Sequence, residues 1–358
     1  MAKVAILYGG RSGEHEVSCT SAAAVLKNLK TEHSAVIIGI NREGKWYLQD
    51  NPSPIPDVLA IESVSSRKIT VIPGECLAFS DGEKLEVDVV IPVLHGSFGE
   101  DGRVQGLLET ARIPYAGSGV LASAVGMDKD MAKRLWLQAG LPVVPWKTLH
   151  AESDSDMSES AAGELFTNLG CPLFVKPANA GSSVGISRVE NEAELKSALE
   201  SAWAFDRKVL VEKAIIGREI ECSVMGYSNP KAFPPGEIIP AGKHEFYDYE
   251  AKYTDPDGAL LKVPADLPET AVLKIQTIAE KAYRCVDAGG LSRVDFLLEG
   301  DSGKMYINEI NTLPGMTPIS LFPRMTAAGG LNFTAMLEKL IQGAIDEYSY
   351  RESLSYDN

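Results

Sequence analysis

The segment Leu291–Asn311 reads LSRVDFLLEGDSGKMYINEIN, in which two apolar stretches flank a glycine-containing turn. This pattern predicts a β-hairpin. Glu309 is two residues before Asn311, so both side chains lie on the same face of the second strand. If residues 301–303 form a three-residue turn, Asp295 on the first strand lies directly opposite Glu309.

The polar side chains of this hairpin have the chemistry of a metal site. The carboxylates of Asp295 and Glu309 and the amide oxygen of Asn311 are hard ligands of the kind that Mg²⁺ takes together with water and substrate phosphates. Arg293 shares the face of Asp295 and adds a cation suited to an anionic transition state. The alternative is a solvated face with ordinary surface acids, but these acids interrupt otherwise apolar strands. We therefore predict a catalytic magnesium site.

Upstream of the hairpin, residues 175–185 read VKPANAGSSVG. Lys176 lies at the end of an apolar strand, and the glycines and serines after it have backbone N–H groups that can approach phosphate oxygens closely. No Gly-Lys-Ser/Thr sequence follows, so this is not a Walker A loop. A Gly-Ser run alone is more often a plain turn, but the lysine at the strand end favours a phosphate-binding loop.

A third segment, LVEKAIIGREIE, fits either a nucleotide pocket or an edge strand of alternating charge, and its residues alone leave both interpretations open. Glu212 and Lys213 end one predicted strand, and Glu219 begins the next. In a nucleotide pocket, the backbone of such a strand binds the adenine edge while a carboxylate accepts hydrogen bonds from ribose hydroxyls. Lys129 lies on a predicted helix, where a lysine is more often simply solvated.

Residues 1–125 alternate apolar strands with helical patterns, which predicts a parallel sheet covered on both faces. Such sheets bind ligands beyond the carboxyl ends of their strands, where GGRSGEHE and HGSFGEDG are expected. The first segment puts Glu14 at a helix start, where backbone N–H groups favour anions. A lone histidine is more often structural, but the second segment puts His95 at a strand end inside a glycine-rich loop, where it has little packing reason to be. A dinucleotide-dependent oxidoreductase is the alternative, but the Gly-x-Gly-x-x-Gly spacing is absent.

The strand and helix patterns divide the chain into three units, residues 1–125, 126–225 and 226–358. In the second unit the runs PLFVKPA, GISRV, KVLVEKAI and EIECSVMGY predict a mixed, largely antiparallel sheet. The third unit contains the hairpin and a polar, aromatic-rich loop at residues 243–258, of a length and composition that are usually functional or disordered. The predicted fold class is α/β, with an N-terminal parallel-sheet domain followed by two mixed α+β domains.

Composition limits the classes of partner. The chain has 358 residues, a formal net charge of −15 and five scattered cysteines. An acidic balance argues against non-specific binding to nucleic acid or anionic membranes, and unclustered cysteines predict reduced thiols rather than a zinc site. The first strand leaves no room for a signal peptide, and no stretch approaches the ~20 apolar residues of a membrane span. We expect a soluble, cytoplasmic protein.

Seven segments spread over nearly the whole chain resemble, in order, the signature sequences of D-alanine–D-alanine ligases. They are GGRSGEHEVS, LHGSFGEDG, MDK, VKPANAGSSVG, EFYDYEAKY, RVDF and NEINTLPGMTP. The resemblance implies the ATP-grasp fold, with ATP held between the second and third domains. It implies that ATP phosphorylates the carboxylate of one D-alanine and that the amine of a second attacks the acylphosphate. Peptidoglycan precursor synthesis, two Mg²⁺ or Mn²⁺ ions and a homodimer are further implications.

The resemblance also implies roles for residues around the first substrate. Glu14 would bind the ammonium group of the first D-alanine. Through Ser182 it would form a hydrogen-bonded triad with Tyr253, which belongs to a lid formed by residues 243–258. His95 would lie near the carboxylate of the same substrate.

Further roles concern the intermediate, the nucleotide and the metals. Arg293 and the backbone N–H of Gly315 would stabilise the tetrahedral intermediate, and Ser320 and Leu321 would meet the carboxylate of the second D-alanine. The nucleotide would be bound by Lys129, Lys176, Ser183, Glu212, Lys213, Glu219, Lys252 and Asn308. The two metal ions would be held by Asp295, Glu309 and Asn311.

The lid predicts the second substrate. Relatives that make D-alanyl-D-lactate lack the lid tyrosine, whereas this chain retains Tyr253, which favours D-alanine and leaves a D-alanine–D-lactate ligase as the alternative. Another ATP-grasp ligase would share the hairpin but not the lid or HGSFGEDG. A non-catalytic scaffold is disfavoured, because every candidate catalytic position carries a chemically competent residue.

Overall fold

A computed structural model describes residues 1–64, 66–155, 158–241, 258–300 and 302–355. Lys252, Tyr253 and nearly all of the predicted lid lie outside these residues. The described residues form three β-sheets with helices packed against them. Among the helices described, none is both long and apolar enough to cross a membrane.

The first sheet has seven strands, which are β1 (Lys3–Gly9), β2 (Ser34–Ile40), β3 (Trp46–Gln49), β4 (Lys68–Ile72), β5 (Cys76–Phe79), β6 (Lys84–Leu85) and β7 (Val89–Val93). Their order is β6-β5-β4-β3-β2-β1-β7. The expected parallel sheet is present as β2-β1-β7. Four antiparallel strands extend it beyond β2, which the sequence analysis did not predict.

Helices α1 (His15–Asn28) and α2 (Arg103–Thr110) pack against this sheet, and α3 (Val120–Met127) contacts α2 and the strand Met305–Asn311 of the third sheet. Helix α1 packs on β1, and its small residues Ala22 and Ala23 are completely buried. The loops after β1 and β7 leave the same edge of the sheet, because the two strands are parallel neighbours. That edge therefore holds both glycine-rich segments singled out in the sequence.

The second sheet is formed by β8 (Trp146–His150), β9 (Leu173–Pro177), β10 (Ser187–Val189) and β11 (Lys208–Lys213). Its order is β10-β9-β11-β8, and all neighbouring strands are antiparallel. Around it lie α4 (Lys129–Gln138), α5 (Ala151–Asp154), α6 (Glu159–Leu169) and α7 (Glu192–Trp203). Apolar residues of α6 and α7 pack on β9 and β11 in a separate core.

The third sheet contains β12 (Gly217–Met225), β13 (Lys231–Ala232), β14 (Gly236–Pro240), β15 (Ala259–Lys262), β16 (Leu291–Glu299) and β17 (Met305–Asn311). Its order is β15-β14-β12-β16-β17, with β13 beside β12. The other helices in the described part of the chain are α8 (Glu269–Cys285), α9 (Leu321–Ala328) and α10 (Phe333–Glu352). Buried residues of α10 share one core with β1 and α1, which fixes the first sheet against the end of the chain.

One strand lies in a different sheet from the one expected. The run EIECSVMGY was predicted in the sheet of the second unit, but β12 pairs antiparallel with β16 along its whole length. The chain passes from the second sheet to the third at Gly217. The backbone there lies so close to the Leu298 carbonyl that a Cβ would clash with it, which a glycine avoids. The alternate residues Ile220, Cys222 and Val224 then fill the core beneath the third sheet. The domain boundaries themselves stay a prediction.

The predicted hairpin is present, and its register arises in a different way from the one expected. Leu298 lies opposite Met305, one residue away from the register that a three-residue turn would give. An irregularity between Asp295 and Phe296 then shifts the pairing by one residue. As a result Asp295 does lie opposite Glu309, as the sequence predicted.

Candidate active site

A cavity of about 710 Å³ lies between the loops of the first sheet, the loop after β9 and the third sheet. Ten of the residues predicted from the sequence line it: Glu14, His95, Lys129, Ser182, Arg293, Glu309, Asn311, Gly315, Ser320 and Leu321. They come from positions up to about three hundred residues apart in the chain. Both the hairpin and the N-terminal glycine-rich loops therefore face one space.

The carboxylate of Glu14 lies where two of these loops meet. A Cβ placed on Gly96 would lie 2.5 Å from Glu14 Oε2, and one placed on Gly181 would lie 3.3 Å from the same atom. Gly96 also has a positive φ of 71°, a backbone conformation that favours glycine. Ser182, next to Gly181, faces the same cavity. The third residue of the predicted triad, Tyr253, lies outside the described residues.

His95 forms part of the cavity wall and is almost completely buried. Its Nδ1 lies 3.0 Å from the Leu313 carbonyl oxygen, and its Nε2 lies 3.0 Å from Ser21 Oγ. Burial lowers the pKa of His95, against the opposing effect of the Glu14 carboxylate. The ring is therefore neutral at physiological pH, with both nitrogens engaged by the protein.

Arg293 is held between two acidic side chains. Its Nε and Nη2 donate to Asp295 Oδ1 and Oδ2, each at 2.7 Å, and its Nε lies 3.1 Å from Glu221 Oε2. Burial alone would lower the pKa of the guanidinium, but the two carboxylates raise it well above its ordinary value. Arg293 is thus a fixed, permanent cation in the cavity wall.

The hairpin carries oxygen donors of the kind that Mg²⁺ takes. Asp295 lies opposite Glu309, and Arg293 lies opposite Asn311. Asn311 Nδ2 donates to Asp295 Oδ2 at 3.0 Å, and Lys129 Nζ lies 3.2 Å from Glu309 Oε2. Within the described ranges, no group of three or more His, Cys, Asp or Glu is arranged to hold a metal. Two carboxylates and an amide nevertheless fit Mg²⁺, which takes its other ligands from water and phosphate.

Beside the cavity, a buried carboxylate is shared between two lysines. Glu212 Oε2 lies 2.7 Å from Lys176 Nζ, and Glu212 Oε1 lies 2.9 Å from Lys133 Nζ. Lys176 Nζ also donates to Asn308 Oδ1 at 3.2 Å. Burial would raise the pKa of Glu212, but the two ammonium groups lower it. The cluster carries one net positive charge and fits a phosphate-binding region.

The other predicted nucleotide residues are more dispersed. Lys213 Nζ lies 3.5 Å from Glu299 Oε1, across the two sheets. Glu219 is on β12, opposite Leu297. Ser183 follows Ser182 in the loop after β9, and both have positive φ angles, 58° and 50° respectively. None of Lys213, Glu219 and Ser183 is among the residues that line the cavity.

The segment between β17 and α9 closes the other side of the cavity. Ser320 Oγ accepts a hydrogen bond from Thr317 N at 3.0 Å, and a Cβ on Gly315 would lie 2.9 Å from the same oxygen. Leu321 is the first residue of α9 and is buried. The predicted residues Gly315, Ser320 and Leu321 therefore lie together, on one short turn.

Sequence reasoning missed four polar residues of this region. Glu221 pairs with Arg293. It is two residues after Glu219 and so lies on the same face of the strand, a spacing from which it could have been predicted. Lys133 lies one helical turn after Lys129 and is completely buried. Glu100 belongs to HGSFGEDG and accepts from Gly96 N at 2.7 Å. Ser21 lies in an alanine-rich helix pattern that carries no such signal.

Burial makes the carboxyl group of Glu100 an unusually weak acid. It raises the pKa of this carboxyl to about 8, and the nearby Glu14 carboxylate acts in the same direction. Glu100 also lines the cavity, and a pKa of about 8 favours the protonated carboxyl at neutral pH.

Comparison with known proteins agrees with these observations. Residues 3–118 match the family model described as D-ala D-ala ligase N-terminus, and residues 135–342 match the one described as D-ala D-ala ligase C-terminus. A D-alanine–D-alanine ligase of Treponema denticola is 45% identical over 357 residues, covering 96% of each chain. One of a Thermoanaerobacter species is 44% identical and covers 97% of each chain.

Solved structures agree as well. The D-alanine–D-alanine ligase of Coxiella burnetii superimposes with a TM-score of 0.86 at 36% identity, covering 98% of this chain and 95% of that one. The VanG D-Ala:D-Ser ligase of Enterococcus faecalis superimposes with a TM-score of 0.83, also at 36% identity, covering 96% and 99%.

Proposed function

This chain belongs to the D-alanine–D-alanine ligase family of ATP-dependent ligases, and we propose that it joins two D-alanine molecules in the cavity lined by Glu14 and Arg293. One observation carries the proposal. A carboxylate able to bind an ammonium group and a permanent cation able to stabilise an oxyanion line the same cavity, although they come from opposite ends of the chain. A ligase that activates one amino acid for attack by another needs both.

The first D-alanine binds through its ammonium group to Glu14. The place of this carboxylate in the cavity wall, close to the backbones of Gly96 and Gly181, supports the assignment. Ser182 and, in the lid, Tyr253 complete a hydrogen-bonded triad with Glu14. His95 lies near the carboxylate of the first substrate but acts as part of the wall, since both of its ring nitrogens have protein partners.

ATP supplies the phosphoryl group that activates this carboxylate. Lys129, Lys176 and Lys252 neutralise the phosphates, with Ser183 and Asn308 beside them. The backbone N–H groups of the loop after β9 assist, because its small residues let phosphate oxygens approach the backbone closely. Glu212, Lys213 and Glu219 bind the adenosine.

Asp295, Glu309 and Asn311 hold two Mg²⁺ or Mn²⁺ ions, as their oxygen donors and shared face support. When bound, such ions would supply positive charge that neutralises the charge developing on the phosphates during phosphoryl transfer. Arg293 and Lys129, which now contact these acids, remain nearby as additional cations.

In the second step, the amine of the second D-alanine attacks the acylphosphate carbonyl. The C–N bond forms, a proton leaves the nitrogen, and the C–O bond to phosphate breaks to give the dipeptide and inorganic phosphate. Arg293 and the Gly315 N–H stabilise the oxyanion of the intermediate. Ser320 and Leu321 position the carboxylate of the second substrate, and the lid excludes water, which would hydrolyse the acylphosphate.

The product serves peptidoglycan synthesis, and we expect the enzyme in the cytoplasm as a homodimer. The proposal is tested by phosphate release from ATP and Mg²⁺ with D-alanine alone, and with D-alanine plus D-lactate, with products identified by mass. Release with D-alanine alone and a dipeptide product supports the proposal. Release only with D-lactate would indicate the D-alanine–D-lactate alternative, and no release would contradict both.

A further inference from the structure

A chain of hydrogen bonds runs from α1 through His95 to the loop after β17. Ser21 Oγ lies 3.0 Å from His95 Nε2 and accepts from the Met316 N–H at 3.4 Å. On the other side of the ring, His95 Nδ1 lies 3.0 Å from the Leu313 carbonyl oxygen. Ser21 is completely buried and His95 nearly so, so these contacts are shielded from solvent.

The chemistry of the groups involved determines which atom donates in each of these hydrogen bonds. The Leu313 carbonyl can only accept, so His95 Nδ1 must carry a proton and donate. The ring is neutral, so Nε2 has a lone pair and accepts from the Ser21 hydroxyl. The Met316 N–H can only donate, and the oxygen of Ser21 accepts it. The Leu313 carbonyl, the Ser21 hydroxyl and the Met316 N–H therefore all form their hydrogen bonds only when the imidazole carries its proton on Nδ1.

The main chain of His95 is anchored as well. Ser12 Oγ donates to the His95 carbonyl oxygen at 2.6 Å and accepts from Glu14 N at 3.2 Å. The next residue, Gly96, donates to Glu100 Oε1 at 2.7 Å. Hydrogen bonds therefore position both the backbone and the ring of His95. The ring can in turn position the segment after β17 that it contacts.

We propose that Ser21 is a positioning residue, which acts through His95 and Met316 to fix the segment Leu313–Met316 and with it the N–H of Gly315. The two ends of this four-residue segment are each bound to the Ser21–His95 pair, one through a carbonyl and the other through an amide. Gly315 lies between them and lines the cavity. The inference rests on the proposed oxyanion role of Gly315.

The position of this N–H matters more for the intermediate than for ground-state binding. Donors aimed at an oxyanion act only where charge develops, and a displacement of ~1 Å in such a group can cost about 100-fold in rate. ATP is proposed to bind to other residues, on the second sheet and the hairpin. Loss of the Ser21 hydroxyl should therefore lower kcat and leave the KM for ATP unchanged.

The first test examines the bond directions in the ligand-free wild-type protein. The chain has five histidines, so ¹⁵N-imidazole spectra can be assigned, with a His95→Gln variant used for assignment only. We expect His95 to be neutral at pH 7, protonated at Nδ1 and bare at Nε2. An Nε2–H tautomer, or an imidazolium, would overturn the proposed chain of bonds. This measurement does not depend on the folding of any Ser21 variant or on the enzymatic reaction.

The second test is kinetic. Ser21→Ala should lower kcat by about 10- to 100-fold, with the KM for ATP changed by less than about twofold. Ser21→Thr keeps the hydroxyl and should recover most of the loss. Ser123→Ala is the matched control, because Ser123 is also completely buried and donates to a carbonyl, that of Ser118 at 3.3 Å.

The outcomes separate this inference from the proposed function. An unchanged kcat in Ser21→Ala, or an equal loss in Ser123→Ala, would overturn the positioning role of Ser21. If the wild-type enzyme formed no dipeptide, the proposed function would fail. The imidazole spectra would still decide whether Ser21 and His95 hold the segment as described.

Discussion

Arg293 donates two parallel hydrogen bonds to Asp295, its neighbour two residues further along the same strand, each at 2.7 Å. The paired geometry gives the guanidinium one orientation, and Glu221 holds the pair from the adjacent strand. In the proposed function, the same Asp295 oxygens are metal ligands. A metal bound there would compete with Arg293 for Asp295 and leave N–H groups of the guanidinium available to the reaction intermediate.

Replacement of Arg293 should affect turnover far more than nucleotide binding. Arg293→Ala removes a donor that is proposed to act on the intermediate, so we expect kcat to fall by about 100- to 1,000-fold. Steady-state kinetics and an ATP titration measure the two effects separately. Arg293→Lys keeps the buried charge and guards against simple unfolding, but it cannot form the paired bonds. Equal losses in turnover and ATP affinity would contradict the oxyanion role.

Asp295→Asn should raise the concentration of Mg²⁺ that is needed for half-maximal activity. The amide keeps one oxygen but loses the negative charge that a hard cation prefers. We expect the Mg²⁺ requirement to rise by about tenfold, which corresponds to ~1.4 kcal/mol of binding free energy. Glu280→Gln, on α8, is a suitable control outside the cavity. An unchanged Mg²⁺ titration curve would mean that the metal is bound by other residues.

Glu100 should make the ligand-free protein less stable as the pH rises. Its carboxyl has a folded-state pKa of about 8 against an ordinary value of 4.5. Between these values the folded state binds more protons than the unfolded state, so the free energy of unfolding falls with increasing pH. Glu100→Gln removes this loss and keeps an acceptor for Gly96 N.

We expect Glu100→Gln to be more stable than the wild type at pH 9, by on the order of 1–3 kcal/mol, and equally stable near pH 4. Urea unfolding with metal removed measures the difference at both pH values. Glu164→Gln, at an exposed position of α6, should leave the profile of the wild type unchanged. A constant difference between Glu100→Gln and wild type at all pH values would rule out the raised pKa as its cause.

Tyr253→Phe should admit D-lactate as the second substrate. This prediction comes from the lid pattern alone, since Tyr253 lies outside the described residues. We expect D-alanyl-D-lactate to form at a rate within about tenfold of dipeptide formation, because an apolar ring no longer favours the amine nucleophile. Competition assays with mass detection of both products measure the ratio. Strict retention of D-alanine specificity would show that other residues select the second substrate.

The sequence predicted the local structure around Arg293 and Asp295 better than the tertiary contacts that support it. Periodicity and spacing identified the hairpin of Arg293 and Asp295, because alternation along a strand is a local property. The same reasoning placed β12 in the second sheet, whereas it pairs in the third from Gly217 onward, since strand pairing depends on the tertiary fold. It also arrived at the pairing of Asp295 with Glu309 through the wrong turn, because a strand irregularity corrected the register.

The set of site residues predicted from the sequence was incomplete for the same reason. Glu14 and His95 were found from the glycine-rich segments around them, whereas the partners that orient His95 lie at sequence separations of 74 and 218 residues. A buried serine such as Ser21 has no distinctive neighbours in the sequence. Lys133 had only its spacing from Lys129 as a signal, and a lysine on an amphipathic helix is more often on the solvated face.

Lys133 should be essential to the charge balance of the proposed nucleotide-binding region. Its ammonium is completely buried and lies 2.9 Å from Glu212, whose other oxygen contacts Lys176. Lys133→Met removes one counter-ion, so Lys176 alone must neutralise Glu212 and becomes less available to a phosphate. We expect the free energy of unfolding to fall by about 3 kcal/mol and the affinity for ATP to fall at least tenfold. Lys274→Met, at an exposed position of α8, should change neither.

A double-mutant cycle distinguishes this charge effect from a simple packing defect. Glu212→Gln in the Lys133→Met background removes the buried charge that lost its partner, so it should restore most of the unfolding free energy. It should not restore adenosine binding if Glu212 itself contacts the nucleoside. The three variants and the wild type are compared by urea unfolding and by ATP and adenosine titrations. Additive losses would mean that Lys133 stabilises the helix α4 by packing and has no specific effect on Glu212.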